Sequence, residues 1–536
     1  MADVIFDPLE EFDQKHRQTH LDRVNAFFEE LVKKSGVDIE QNRNTVKQYK
    51  ECNEDLSKMR KKLNWLRVLR VLMCITLVLI PVVILKTTPK IKALRANIEE
   101  ADKRASELLN EAYRQMAPLN GAFTDRDALN LIESVMPLVK FADCFTASQE
   151  EDMKVNYDFT QPGEDEESTI DVLAGSYNDN PFLFENKRIH TMGTETYHGY
   201  KTITWTEHYV DSNGKSQTRT RSQTLHATVT KPKPFYNTRV ILNYCAQGGP
   251  DLCFSRDASH LDRKSDKAID RLVKSGEKKL QKKSERALSQ NSDFTSMSNT
   301  EFEVLFDALD RDNELQFRAL FTPLAQTNMV DLIRSRVGYG DDFAFIKTKR
   351  TNRIVTDHSQ GRPINLVPAD YFSYDYDVIR ENFITKNVNF FKAVYFDFAP
   401  VLAIPAYQER PIQSLKPIPD YGQLYSLKEC EVLANAVERK YVVHPNTKTE
   451  AIVKSTFVAS RDNVDETCIT AYSYDIEQRV DYVPVHGDDG YWHDVPVHWD
   501  LYLPLQASNH FFVAKSEDAK SNMVMAKHNG LCIFNS

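Results

Sequence analysis

The residue types with the most chemical potential crowd into VPVHGDDGYWHDVPVHWDLYLP, residues 483–504. His486, Asp488, His493 and His498, with Asp489, Asp494 and Asp500 among them, offer the imidazole and carboxylate donors that hold zinc or another divalent ion. Their spacing argues against one shared site. In a strand over 491–503, a five-residue step sends His493 and His498 to opposite faces, and Gly487-Asp488-Asp489-Gly490 is turn chemistry. The segment reads as a hairpin beside an edge strand, blunted by Pro484 and Pro496. The four residues stand as metal candidates only, and no cofactor is implied.

Other strings carry less. Val337-Gly338-Tyr339-Gly340-Asp341 matches a potassium-filter signature, but Arg334 and Arg336 precede it and no hydrophobic span flanks it. Asp310-Arg311-Asp312-Asn313-Glu314 begins like a calcium loop, yet Leu315 stands where the glycine belongs and Phe321 where the bidentate glutamate belongs; an exposed helix fits better. Cys532 and His528 make a thin nucleophile-and-base pair around the turn-like Asn529-Gly530. No nucleophile elbow, P-loop, dinucleotide fingerprint or HExxH is present. The basic run from Arg256 to Arg286 is interleaved with acids at helical spacing, which describes a solvated helix face. Lys278, Lys279, Lys282 and Lys283 are its candidates for phosphate contact, and Lys215, Arg219 and Arg221, beside Tyr197, Tyr200 and Trp205, are candidates to extend that surface.

The elements that must position these residues fall into contrasting stretches. Residues 71–85, VLMCITLVLIPVVIL, hold no charge, and the apolar character extends back to Leu63 if Arg67 and Arg70 snorkel and Trp65 takes the headgroup layer. A spanning helix over 63–86 is expected, with a buried helix or a re-entrant hairpin bending at Pro81 as the competing readings. Lys58 to Arg70 before the run nearly balances Lys86 to Arg104 after it, so the positive-inside rule gives the dense N-terminal cluster a weak vote for an exported body. Eight cysteines without a CxxC pair favour a reducing compartment instead, so sidedness stays open. Cys245 and Cys253, flanking Gly248-Gly249-Pro250, are the one pair placed to meet across a hairpin.

Before that run, two helices break at Ser35-Gly36. After it, Ile91, Leu94, Ile98, Ala101, Ala105, Leu108 and Ala112 alternate by three and four, a coiled-coil seam that needs either a helix of the same chain or a second copy. A short helix follows near Thr124, with Asp127 completing a capping pattern. From about 168 the period becomes two, and Tyr197–Val210 with Gln217–Val229 forms a long hairpin about Asn213-Gly214. Helical patterns return at 256–290 and 300–334. From 343 onward the pattern reads mainly as strand, including the apolar run Phe390–Ile404, with one helix over Leu427–Arg439.

At 536 residues the chain exceeds one core, and 41% hydrophobic content excludes disorder. A formal net charge of -9 argues against a chain that coats nucleic acid. The division expected is 1–62 N-terminal helices, 63–86 transmembrane helix, 87–145 helical stalk, 146–255 β-rich domain, 256–342 helical insertion and 343–536 C-terminal β-rich domain: an α+β chain.

Four blocks carry a resemblance: QMAPLNGAFTDRDALNLIESVMPLVKFADCF (115–145), TITWTEHYVDSNGKSQTRTRSQTLHATVTKPKP (202–234), NTEFEVLFDALDRDNELQFRALFTPLAQ (299–326) and GYGDDFAFIK (338–347). They resemble a family of uncharacterised membrane-anchored proteins of mycoplasmas and related Gram-positive bacteria. The resemblance spans roughly residues 60–350 and implies a bacterial source and an anchor, with no activity, ligand or catalytic residue to transfer. The expectation is a non-enzymatic, single-pass membrane-tethered interaction or scaffold protein. Its partners would be the lipid bilayer and, through residues 91–112, a second copy. The alternative is a membrane-bound hydrolase with a site assembled from distant residues, including the 486–500 cluster.

Overall fold

The computed structural model describes residues 5–74, 80–160, 166–210, 214–289, 296–412, 416–418, 424–461 and 464–514. Helices alternate with antiparallel sheets, the α+β class. Two compact units form: one from Asp7–Val139 with Asn365–Phe396, the other from Met1–Phe6, Lys140–Ile364 and Asp397–Ser536. Neither unit is continuous in sequence.

The first unit is helical. Helix α1 (Pro8–Glu11) is capped by Asp7, whose carboxylate accepts from the Leu9 and Glu10 amides, and α2 (Arg17–Ser35) stops at Gly36 with φ +64°. That left-handed C-cap is the break the sequence signalled, and glycine takes it without a Cβ clash. Next come α3 (Ile39–Cys74), α4 (Ile80–Asn120) and α5 (Asp127–Val135). Before α5, the Asp127 carboxylate clasps the Thr124 amide at 2.9 Å and its hydroxyl at 2.5 Å. An aromatic core joins these helices to the long helix that begins at Tyr376: Phe28, Phe123 and Tyr371 pack around Phe383, and Phe12 lies against Tyr395 and Phe396. Buried His20 stacks on Phe391 at 4.1 Å, and burial drives its pKa down to about 3, so it packs as a neutral ring.

Helices α3 and α4 run antiparallel, side by side. The Cys52 thiol donates to the Ala101 carbonyl (3.4 Å), Arg60 reaches both Asp102 oxygens (2.7 Å each), and the Gln115 amide donates to the Thr45 hydroxyl (3.1 Å). Val46, Leu56 and Leu63 of α3 and Ile91, Ala105 and Ala112 of α4 are buried. The seam read from Ile91 to Ala112 therefore has a partner inside the same chain. The spanning helix expected over 63–86 is not found: no described helix is long and apolar enough to cross a membrane, and residues 75–79 of that stretch lie outside the described residues.

The second unit is built on sheets. Strands β1 (Val139–Phe141), β2 (Glu167–Tyr177), β3 (Asn180–Val210), β4 (Ser216–Cys245), β5 (Cys253–Arg256), β6 (Phe343–Thr348) and β7 (Thr351–Thr356) make one sheet in the order β1-β2-β3-β4-β7-β6-β5. Strands β8 (Ile452–Arg461), β9 (Val464–His486) and β10 (Trp492–Ala514) make a second sheet, β10-β9-β8. Helices α6 (Ala147–Tyr157), α7 (Asp266–Ser289), α8 (Thr300–Phe306), α9 (Glu314–Leu320), α10 (Pro323–Arg334), α11 (Tyr376–Leu402) and α12 (Leu427–Ala436) complete the fold. A core of Phe145, Met153, Tyr157, Val172, Leu183 and Val432 lies between the first sheet, α6 and α12. A Phe254, Phe302, Phe306, Phe317, Phe321 and Phe345 cluster ties α8 and α9 to β5 and β6. One sequence expectation fails here. The run Phe390–Ile404, read as strand, lies mostly within α11, where Ile379, Phe383, Phe391, Tyr395, Phe398 and Leu402 recur at the helical period and are all buried.

Most of β3 and β4 extends past the sheet. Only Asn180–Ile189 of β3 pairs with β2, and only Leu242–Cys245 of β4 with β7; the remainder is a two-stranded ribbon. β9 and β10 form a second ribbon, paired from Trp492↔His486 to Ala514↔Val464. The two ribbons pack face to face through Ile203, Leu225, Ala227, Val495 and Val497, with Trp205, Val483 and Val485 around them. The approach is close at Gly199, where a Cβ would lie 2.2 Å from the Pro496 carbonyl oxygen, so no other residue fits without moving backbone.

Candidate interaction surface

A strand period of two divides each ribbon into one face against its partner and one face to solvent. Positions 197, 199, 203 and 205 of the first ribbon turn inward, which leaves alternate positions from Thr196 to Thr206, and from Thr218 to Thr230, exposed on the outside. That outer face is mostly hydroxyl. Thr196 pairs with Thr230 at 3.0 Å and Thr202 with Thr224 at 3.1 Å, while His198 meets His226 at 2.9 Å and Tyr200 stacks on His226. The basic and aromatic residues expected to share one surface part company. Tyr197 and Trp205 pack into the inter-ribbon core, Tyr200 points away from it, and Arg219 and Arg221 both close on Glu207 at 2.8 Å.

The second ribbon carries the 483–504 cluster. Val495 and Val497 turn inward, and the register therefore puts His493 on the inner face, with His486 and His498 on the outer one. His493 pairs with the Asp489 carboxylate at 2.8 Å, the Asp488 amide donates to the Gln223 side chain at 2.8 Å, and His486 packs edge-on to Trp492. His486, Asp488, His493 and His498 do not converge. Among the described residues no group of three or more His, Cys, Asp or Glu is arranged to hold a metal ion. The turn is as expected: Gly487 N–H donates to the Tyr491 carbonyl at 2.8 Å, and Gly490 takes φ +85°. The apolar content of the outer face belongs to no motif. Tyr482 is 68% exposed and Trp492 70% exposed. The alternation Tyr482, Pro484, His486 against Val483, Val485 was the available signal.

The other chemistry-bearing strings are absorbed by structure. Tyr339 stacks on His358 at 3.8 Å and 4°. The His358 ring sits between two carboxylates, Asp342 at 2.6 Å and Asp397 at 3.3 Å, and Asp397 is held as well by Arg362 and by the Ser359 and Thr356 hydroxyls. Burial alone would push this imidazole down; the two carboxylates outweigh it and raise its pKa to about 9, so the ring is a cation at neutral pH. Asp341, in the same filter-like string, takes the buried Arg256 and the Ser259 amide. In the calcium-like string, Asp310 and Asp312 accept from the Ser255 and Cys253 amides, and buried Arg311 bridges Glu303 and Glu314. Lys347, 1% exposed, donates to the backbone carbonyls of Gly248 and Lys349, and burial drives its pKa down to about 7. Cys245 and Cys253 are free thiols, paired across strands with Thr351 and Thr348. Cys532 and His528 lie outside the described residues.

No protein-family model, curated protein or solved structure matches the chain.

Proposed function

We propose that the chain is a non-enzymatic, membrane-tethered interaction protein whose tether is the α3–α4 hairpin. The antiparallel pairing of these two helices is the observation that carries the reading. From Thr45 against Gln115 to Arg60 against Asp102, the contacts advance toward the uncharged run 71–85, which takes in the end of α3 and the start of α4. A single crossing would carry the flanks of that run to opposite sides of a bilayer; helices already paired favour entry and return on one side. Fifteen uncharged residues are short for a crossing, which needs about 20, and sufficient for a shallow dip. α3 is 36 residues, roughly 54 Å at 1.5 Å per residue, and the charged surface of both helices suits water. Lipid is thus the proposed first partner. Because α3 already lies along the Ile91–Ala112 seam, a second copy would have to displace it to pair there.

Flotation with liposomes tests the tether. The full-length protein is expected to float, and a Leu77→Glu, Leu79→Glu, Ile80→Glu variant to remain at the bottom with its circular dichroism unchanged. A wild-type protein that stays monodisperse without detergent and never floats would remove the tether. Protease digestion from either side of a sealed vesicle separates the two topologies: N-terminal and C-terminal regions cleaved from the same side support the dip, and cleavage from opposite sides replaces it with a single crossing.

A further inference from the structure

We infer that the solvent face of the second ribbon, near its turn, is a docking site for an extended, cationic segment of a protein partner. The argument is independent of the membrane reading. The face is ordered by the pairings His486↔Trp492, Pro484↔Asp494 and Tyr482↔Pro496. Reading along it at two-residue steps gives an exposed Trp492, an exposed carboxylate at Asp494, and Pro496 beneath an exposed Tyr482. These steps are about 7 Å each, the repeat of alternate side chains in an extended peptide.

Exposed aromatic rings of this size are costly to leave in water, and the inter-ribbon core does not use them; that core is formed by the opposite face. Charge selects the occupant. No lysine or arginine stands on the outer face between Gln478 and His486 or between Trp492 and Asp500, and Arg479 belongs to the other face. Lys201 of the first ribbon donates to the Asp494 backbone carbonyl at 3.0 Å, on the first ribbon's side of the strand, so the outer face itself offers an anionic lipid headgroup or nucleic acid a carboxylate and no cation. A lysine or arginine finds a ring face at Trp492, a carboxylate at Asp494 and a second ring at Tyr482, at positions i, i+2 and i+4. The backbone excludes the simplest alternative mode, in which a partner adds a strand to the edge: Pro484 and Pro496 contribute no N–H to such a ladder. Recognition therefore runs through the face, as with peptides that lie across aromatic platforms.

The test uses the full-length protein and a synthetic Thr-Arg-Thr-Arg-Thr-Arg peptide, followed by fluorescence anisotropy at low and physiological salt. Trp492→Ala, Tyr482→Ala and Asp494→Asn are each expected to weaken binding about three- to fivefold, and their combination to abolish it. Thr204→Ala with Thr220→Ala, on the hydroxyl face of the other ribbon, is expected to change nothing. The inference is overturned if the triple variant binds the peptide as the wild type does, or if the arginine peptide binds no better than a glutamate counterpart. It is equally overturned if neutral oligosaccharides or phosphatidylserine vesicles, offered in parallel, bind through these residues while the arginine peptide does not. Concentration-dependent self-association abolished by the same three substitutions would replace the peptide with a second copy. Unchanged circular dichroism of each variant excludes misfolding as the cause.

Discussion

The twin-ribbon arm and the charged knot around His358 spend polar residues in opposite ways. Around His358 every strong group faces another: an imidazole between two carboxylates, one of them held also by Arg362 and Ser359, with Tyr339 closing the top. On the arm, an apolar seam does the holding, and the aromatic rings and the Asp494 carboxylate of the second ribbon's outer face stand in solvent. Chemical residue types buried together are thus consumed by folding here, while the free recognition capacity lies on a surface that looks, by composition, like an ordinary hairpin.

The sharpest way to break this contrast is to remove the imidazole. His358→Ala leaves Asp342 and Asp397 facing each other in the interior, and the expected loss is about 3–5 kcal/mol by urea denaturation. A loss below 1 kcal/mol would mean that the knot is not structural and must be reconsidered as a site. The arm is next: Gly199→Val drives side-chain atoms into the Pro496 carbonyl, and about 1–3 kcal/mol of destabilisation is expected, with increased proteolysis within both ribbons. Cleavage of one ribbon alone would show that they do not depend on each other.

The smallest effect is the pH dependence, where two buried basic groups act in opposite directions. His358 is raised from 6.5 to about 9, so its contribution is complete below pH 6.5 and is lost as pH rises through 9. Lys347 is lowered from 10.5 to about 7, so the unfolded chain binds the extra proton between these values and stability climbs with pH above 7. The two slopes nearly cancel from pH 7 to 9. Lys347→Met is expected to unmask a decline in melting temperature over that range, and His358→Asn a rise; equal slopes in both variants would refute the assignment.

Helix and strand periods carried much of the architecture. The Gly36 stop, the Ile91–Ala112 seam and both hairpins were legible because local chemistry decided them. The Phe390–Ile404 run was not, because a helix buried on all sides loses the polar stripe that gives its period away. The uncharged, apolar character of 71–85 was legible, but the pairing of the helix that ends within it with the helix that follows was not, since Cys52 against Ala101 is a contact 49 residues apart. Of the metal candidates, the opposed faces of His493 and His498 followed from parity alone. The partner of His493 did not, because Asp489 reaches it only once the turn has folded. The exposed rings of Tyr482 and Trp492 belong to no motif, and in sequence they flank His486 and the Gly-Asp-Asp-Gly turn, whose chemistry is the more conspicuous.

The antiparallel course of α3 and α4 makes everything between Thr45 and Gln115, in terms of chain continuity, one long excursion that starts and finishes at the same place. Its reach is consequently free to vary by matched deletions or insertions in both limbs. Removing about seven residues from each limb, two helical turns, keeps the seam in phase and draws the apolar end about 10 Å closer. Such a segment works as a ruler whose length evolution or an engineer can reset without repacking the fold that bears it.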